Sequence, residues 1–299
     1  LVIDSFSGLE RAARALAAGT GPAGVDAERA SGFRYGQRAF LVQIRREGAG
    51  TWLIDPEPLR DLSIINDALS GVEWILHAST QDLPCLSELG MWPDKLFDTE
   101  LAARLAGLPR VGLAAVIENL LGFSLAKEHS AADWSTRPLP EPWLRYAALD
   151  VEVLAELREE LIKLLEADGK LAFAEEEFEA IRTADPAPPR TDPWRRTSGM
   201  HQLRDRRQLA AVRELWQERE QLAERRDTAP GRLIPDAAIV AAARAMPSTV
   251  PQLLSTPGFH GRAAPKEAPR WLRCIAAARE TKDLPPLHIP TNSPPPPRV

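Results

Sequence analysis

GVDAERA, residues 24–30, carries two carboxylates, Asp26 and Glu28, two positions apart in an apolar stretch. Side chains of a strand alternate between faces, so this spacing predicts both carboxylates on one face and Val25 and Ala27 on the packed one. A DxE pair alone decides nothing, because such pairs commonly decorate surfaces. Its neighbourhood is more specific. AFLVQI (39–44) and TWLID (51–55) read as further strands, separated by Gly and charged turn residues as in antiparallel strands on tight connections. Ahead of them, SGLERAARALAAG has helical spacing at Leu9, Ala12, Ala13, Leu16 and Ala17, with Ser7 as its cap and Gly19 as its stop. A helical segment is expected near 57–70 and a strand in VEWILHA (72–78). The rest to residue 168 reads as mostly helical. It ends in PEPWLRYAALDVEVLAELREELIKLLEADG, where Trp143, Ala147, Val151, Leu154, Leu157 and Leu161 keep one sustained helical period. Strands followed by helices, with some alternation, predict a layered α/β domain.

The chain has 299 residues, 44% apolar and 26% charged, which fits an ordinary globular composition and a length for two domains. No run approaches the roughly 20 apolar residues that span a bilayer, and no basic-then-apolar leader opens it. It starts at Leu1 rather than Met, which predicts a piece of a longer protein. Cys85 and Cys274 are its two cysteines, 189 positions apart, so neither a disulfide framework nor a zinc site is expected and a reducing cytoplasm fits. Residues 1–168 hold 16 Lys+Arg against 26 Asp+Glu, whereas residues 190–299 hold 19 against 11. The acidic part suits a metal site and the basic part a polyanion, although arginines on solvated helix faces explain the latter equally well.

TADPAPPRTDPWRR (183–196), with four prolines, marks a semi-stiff linker. Beyond it, segments near 201–225, 236–246, 249–255 and 266–281 have helical periods broken by APG, MPS and TPGF. DLPPLHIPTNSPPPPRV is too rich in proline to pack. The expected division is therefore 1–182, a linker over 183–199, a helical domain over 200–282 and a disordered tail over 283–299.

Two further carboxylate segments follow the DxE pair. Asp82 comes after VEWILHA at the start of a helix backed by Leu83, Leu86 and Leu89, where a carboxylate serves as cap, dipole partner or ligand. Asp98 in KLFDTELAARLAG has the same ambiguity and can cap helix 100–106. Tyr146 and Asp150 stand four apart on one helical face, with Tyr146 open to reading as a core residue. Carboxylates gathered from distant segments repel one another, and divalent cations, which prefer oxygen ligands, are the usual reason to gather them.

The order DxE on a strand, Asp after a later strand, and YxxxD on a long helix resembles the DEDD exonucleases with a tyrosine in the last motif. HASTQDL, LFDTELAARLAG, LAKEHSAADWSTRPL and YAALDV narrow the resemblance to the RNase D family over roughly residues 1–170, and residues about 200–282 are similar to an HRDC domain. The resemblance implies a ribonuclease H-like mixed sheet flanked by helices, then a small all-α bundle; many RNase D proteins continue into a second helical domain. It implies that Asp26, Glu28, Asp82 and Asp150 ligate two divalent ions, Mg²⁺ or Mn²⁺, with Asp26 bridging. Tyr146 would orient the attacking water, since a phenol with pKa of about 10 is a poor base at neutral pH. The implied activity is 3′→5′ trimming of single-stranded RNA ends, tRNA or other structured-RNA precursors, releasing nucleoside 5′-monophosphates in the cytoplasm.

Further substrate contacts are expected from Phe33 and Tyr35, which can stack on terminal bases. Gln43 and His77 are polar residues inside apolar strands, either satisfied in the core or facing substrate. Lys127, Asp133, Trp134 and Arg137 lie in a segment similar to an RNase D motif, with Trp134 also readable as a loop anchor. In RDRRQLAAVRELWQEREQLAERR, Leu209, Val212, Leu215, Trp216 and Leu222 form a packing stripe, and several arginines lie three or four from a Glu. Arg204, Arg206 and Arg207 oppose the helix dipole and are candidate phosphate contacts. The competing readings are a DNA-directed exonuclease, which uses the same carboxylates, and a catalytically silent nucleic-acid-binding adaptor. All four carboxylates are present, against the adaptor, and no GxxxxGK[ST] loop marks a P-loop helicase. RNA identity, 2′-OH discrimination and oligomeric state have no signal in the sequence.

Overall fold

A computed structural model describes residues 1–125, 129 and 131–288 of the chain. These fall into two compact units, one of Leu1–Ser31 with Gln37–Ala187 and the other of Gly32–Gly36 with the chain from Pro188 onward.

The first unit runs β1 (Val2–Ile3), α1 (Phe6–Ala18), β2 (Thr20–Arg29), β3 (Ala39–Glu47), β4 (Gly50–Ile54), α2 (Pro56–Leu59), α3 (Ser63–Ala68), β5 (Glu73–Leu76), α4 (Ser79–Glu88), β6 (Lys95–Asp98), α5 (Thr99–Leu105), α6 (Leu113–Leu121), α7 (Glu141–Glu152), α8 (Leu154–Ala167) and α9 (Leu171–Thr183). One six-stranded sheet has the order β1-β4-β3-β2-β5-β6. The β2–β3 and β3–β4 pairs are antiparallel, and β1–β4, β2–β5 and β5–β6 are parallel. It is the mixed, helix-flanked sheet expected of a ribonuclease H-like fold. β2 lies between β3 and β5, paired on both edges, which explains why it extends to ten residues where the apolar pattern marked only GVDAE.

Several local readings change. Ser5, not Ser7, caps α1: its Oγ accepts from Gly8 N at 3.2 Å, so the helix starts ahead of its first buried leucine, Leu9. The expected strand at 72–78 stops at Leu76, because Ala78 turns into a left-handed conformation (φ 58°) to start α4. The long terminal helix is two helices that part at Val153. α7 packs on β2, β3 and β4, whereas α8 packs on β2, β5, α5 and α6. The apolar period runs through the junction unbroken, so packing against different layers decides the bend, and periodicity does not record it.

Asp98 is a double cap. Its carboxylate accepts from Ala78 N, Ser79 N and Ser79 Oγ at the start of α4, and from Glu100 N and Leu101 N at the start of α5, all within 2.6–3.2 Å. With five donors on two oxygens, it is committed to structure. Arg137, expected near substrate, is committed as fully. Nε and Nη2 grip the two oxygens of Asp55 at 2.8 and 2.9 Å, while Nη1 donates to Trp134 O and Thr136 O and Nη2 to Phe40 O. Five N–H groups make five bonds, so the guanidinium pins the segment before α7 to the sheet and leaves no donor for phosphate.

In the second unit, 3₁₀ turns at Pro193–Arg196 and Met200–Gln202 lead into α10 (Arg206–Arg226), α11 (Pro230–Leu233), α12 (Asp236–Ala245), α13 (Val250–Leu254) and α14 (Ala264–Glu280). Leu209, Val212, Leu215 and Leu222 pack against Ile239, Leu253, Trp271 and Ile275. Trp194, expected in the linker, is buried in this core. The arginines at the start of α10 have a different explanation from phosphate binding. Arg207 Nη1 donates to Ala278 O and Thr281 O at the end of α14, and Arg206 donates to Leu284 O and Pro285 O. Arg207 answers the negative, carbonyl-bearing end of a neighbouring helix, and Arg206 the carbonyls of the segment that follows it, which offsets the opposition of their own helix. Arg204 is exposed. The expected loose tail is therefore held at its beginning: Leu284 packs on the core, Pro285 is buried and Pro286 O accepts from Arg195. Phe33 and Tyr35 also belong here, with the Arg232 guanidinium 4.3 Å from the Phe33 ring centroid and Tyr35 Oη donating to Glu220 at 3.2 Å. Both side chains are thus engaged within this unit. Among the described residues no helix is long and apolar enough to cross a membrane.

Arg137→Ala would leave the buried Asp55 without its partner and free three carbonyls. Urea denaturation is expected to report a loss of about 2–3 kcal/mol, less than for a fully buried pair because Arg137 is partly solvated; a loss under about 0.5 kcal/mol would contradict the pinning role.

Candidate active site

Val25 to Arg29 of β2, His77, Gln81 and Asp82 at the start of α4, Gly112 to Ala115 at the start of α6, and Tyr146 and Asp150 of α7 line a cleft of about 440 Å³. One carboxylate oxygen each from Asp26, Glu28 and Asp150 lie within 4.8 Å of one another. Asp82 lines the same cleft outside that triad. Strand alternation puts Asp26 and Glu28 side by side. The Asp98 cap starts α4 on the β5 edge and so delivers Asp82, one turn in. Tyr146 precedes Asp150 by one helical turn, beside the rings of His129 (5.8 Å, edge-on) and Trp134 (6.5 Å).

α7 reaches β2 because Gly24 has no side chain. A Cβ there would stand 2.8 Å from Val151 O and 3.4 Å from the Leu154 side chain. The helix backbone thus rests on the strand backbone two residues from Asp26, bringing Asp150 to the pair. This glycine carried no recognised signal, since an isolated glycine inside a strand does not say what approaches it.

Beneath the pair lies Gln43 of β3, directly opposite Asp26 and fully buried. Its Nε2 donates within 3.2–3.4 Å of Asp26 Oδ2, Glu28 Oε1 and Ala147 O. Gln43 therefore braces the carboxylates from behind, the core alternative of its two readings rather than the substrate-facing one. Trp134 is likewise fully buried, packed edge-on to Trp143 at 5.6 Å, and anchors its loop. Asp133 accepts from Ser135 N and Oγ, closing the turn that follows. His77 lines the cleft with Nδ1 2.8 Å from Thr99 Oγ1, and burial lowers its pKa. Lys127 lies outside the described residues. Arg29, passed over in the sequence, is a cleft-lining cation next to Glu28.

Burial is the main cause of raised carboxyl pKa values throughout the cleft. It takes Asp26 to about 6 against the Ala27 N–H and Arg29, which oppose it. Asp82 and Asp150 rise to about 8, each further raised by the charge of Asp26. Glu28 is pushed well above its ordinary value by burial and then by Asp26, Asp150 and Asp82, with the Gln43 amide pulling the other way. Four hard oxygen donors that resist ionising together fit divalent cations, whose charge would replace the bound protons. Asp26, Glu28, Asp82 and Asp150 are the residues available to hold them.

A mixed sheet presenting carboxylates in this way defines a metal-dependent 3′–5′ exonuclease domain, and residues 2–166 match the family described as 3'-5' exonuclease, while residues 208–275 match the HRDC domain. The chain belongs to the ribonuclease D family. It is 31% identical over 266 residues to ribonuclease D of Pseudomonas paraeruginosa, covering 86% of this chain and 69% of that one. Among solved structures, a protein from Bifidobacterium adolescentis shares 42% identity at TM-score 0.87 over 98% of this chain and 76% of that chain. Escherichia coli RNase D, described as an exoribonuclease involved in structured RNA processing, shares 29% at TM-score 0.72 over 94% and 75%. Against several other ribonuclease D relatives the chain spans only 54–58% of their length.

Carboxyl pKa values raised above their unfolded values favour the fold at low pH, and that contribution is lost as pH rises through about 6 to 8. In EDTA the cleft's contribution should lower Tm between pH 5.5 and 8.5, and Mg²⁺ should raise Tm more at pH 8.5 than at 5.5. A Mg²⁺ increment independent of pH would count against it. Gly24→Ala presses a methyl onto backbone that cannot rotate away; urea midpoints should show a cost of about 1–3 kcal/mol, and Mn²⁺ titration calorimetry a weaker site. A variant matching the parent in both would show that the approach is not set there.

Proposed function

We propose that this chain is a 3′→5′ exoribonuclease that removes terminal nucleotides from single-stranded RNA ends, including those of structured-RNA precursors such as tRNA, with Mg²⁺ or Mn²⁺ as its ion. The observation that carries this reading is the Asp26–Glu28–Asp150 triad with Tyr146 one turn ahead of Asp150 on the same cleft wall. Two divalent ions, when bound, supply neutralisation of phosphate charge and activation of water for in-line displacement. Asp26, Glu28, Asp82 and Asp150 hold them, and in doing so convert an acidic cleft into one that accepts a polyanion.

The chain's own residues then orient the reaction. Tyr146 presents its phenol to the attacking water as an aligning partner. Water oxygen bonds to phosphorus, the bond from phosphorus to the upstream 3′ oxygen breaks, and that oxygen takes up a proton. The products are a nucleoside 5′-monophosphate and an RNA shortened by one nucleotide with a new 3′-hydroxyl. Gln43 keeps the DxE carboxylates in register from below. His77 and Arg29 on the cleft wall are positioned to meet the terminal nucleotide. The E. coli relative's link to structured RNA supports the choice of RNA over DNA.

The test uses matched RNA and DNA oligonucleotides labelled at the 5′ end, incubated with Mg²⁺, Mn²⁺ or EDTA and resolved by length. An RNA ladder shortening from the 3′ end is expected, abolished by EDTA and slowed about 10²–10³-fold or more in Asp150→Asn. Equal rates on DNA would overturn the RNA assignment, and no cleavage by folded protein would overturn the enzyme.

A further inference from the structure

A second hollow opens beside the catalytic cleft. Leu125, His129, Pro142, Arg145, Tyr146, Leu149 and Asp150 line a groove of about 290 Å³, sharing Leu125, Tyr146 and Asp150 with the cleft itself. The two are therefore continuous across the side chains that face the scissile bond. On α7 the groove residues are Pro142, Arg145, Tyr146, Leu149 and Asp150, spaced i, i+3, i+4, i+7 and i+8, a complete helical stripe. The structural face of the same helix is a different stripe, Leu144, Ala147 and Val151.

Two features of the groove lack a structural explanation. Leu149 is 44% exposed although apolar. Arg145 is exposed, in a unit with an excess of acidic residues, and makes no side-chain hydrogen bond or ion pair among the described residues. Several arginines of this unit are engaged instead, Arg137 on Asp55, Arg158 on Glu73, Arg46 on Leu16 O and Gly21 O; Arg145 differs from the other unengaged ones in standing on the rim of a groove that adjoins the carboxylates. An apolar, ring-flanked floor with one unengaged guanidinium matches one nucleotide unit, a flat base and a phosphate.

We infer that this groove is the subsite for the nucleotide immediately upstream of the scissile bond, with Leu149 and His129 against its base and Arg145 on the phosphate at its 5′ side. The inference rests on the exonuclease reading. A phosphodiester held at the carboxylates has a nucleotide on each side, and the molecule has two contiguous hollows there. The terminal nucleotide takes the cleft beside His77 and Arg29. The rest of the polymer needs a way out, and Pro142, Arg145 and Leu149 form an open rim. Arg145 thus stands one phosphate away from the reaction and contributes to affinity rather than to the chemical step.

The decisive experiment pairs a protein change with a substrate change. Two five-nucleotide RNAs, both with a 2′-O-methyl residue beside the linkage next upstream of the scissile one, differ only in that linkage, a phosphodiester in one and a neutral methylphosphonate in the other. First-cleavage kcat and KM are measured for the parent and for Arg145→Ala and Arg145→Lys, with circular dichroism verifying the fold. The parent should lose about tenfold in kcat/KM on the neutral linkage, all of it in KM. Arg145→Ala should lose the same on ordinary RNA and nothing more on the neutral one, and Arg145→Lys should recover part of it. Losses that simply add, or an Arg145→Ala variant indistinguishable from the parent, would overturn the subsite. A parent that trims neither RNA would overturn the exonuclease reading, and this inference with it.

Discussion

Mutual repulsion among four carboxyl groups in one partly buried cleft is the constraint around which the first unit is arranged. Asp26, Glu28, Asp82 and Asp150 come from a strand and two helices, and none would choose the company of the others in a medium less polar than water. Their raised pKa values express that cost as retained protons. Something must hold the groups together against it, and the holding is done by neutral or already satisfied neighbours.

Three of those neighbours stand out. Gln43 brings an amide, a donor without charge, to both members of the DxE pair and to the backbone of α7. Asp98, a fifth carboxylate close by, is satisfied by five donors that fix where α4 and α5 begin. Arg137 saturates itself on Asp55 and three carbonyls, fixing the chain that feeds into α7. Each is a polar group whose hydrogen bonds are made within the fold, so each positions a carboxylate-bearing element by geometry rather than by a free, mobile charge.

Much of this was legible in the chain. Period-two spacing put Asp26 and Glu28 on one face, four-residue spacing put Tyr146 above Asp150, and the order of these with Asp82 pointed to the family. Residues that prepare the site were harder to read. Asp82 and Asp98 each sit near a helix start, and only the fold shows that the first lines the cleft while the second caps two helices. Gln43 and Arg137 stayed open between substrate contact and structural role because polarity in an apolar or motif-bearing stretch has the same appearance whether it faces a ligand or a neighbouring carboxylate. Arg206 and Arg207 looked misplaced against their own helix dipole, because the carbonyl ends they serve belong to residues some 70 positions on. The bend at Val153 had no signature, since the apolar period continues through it.

The contact at Gly24 makes the strand-to-helix gap a matter of main chain against main chain. Side chains of a core can repack when one is enlarged or trimmed, but a carbonyl oxygen seated on a strand has no rotamers to exchange. The separation between β2 and α7 is accordingly a hard stop, and the surrounding leucines and valines press the helix against it rather than define its position. Drift among those core residues would change how firmly the helix is seated and leave the span between Asp26 and Asp150 where it was. In mechanical terms the site is gauged by a shim of zero thickness, which lets the hydrophobic interior vary while the spacing of its charges does not.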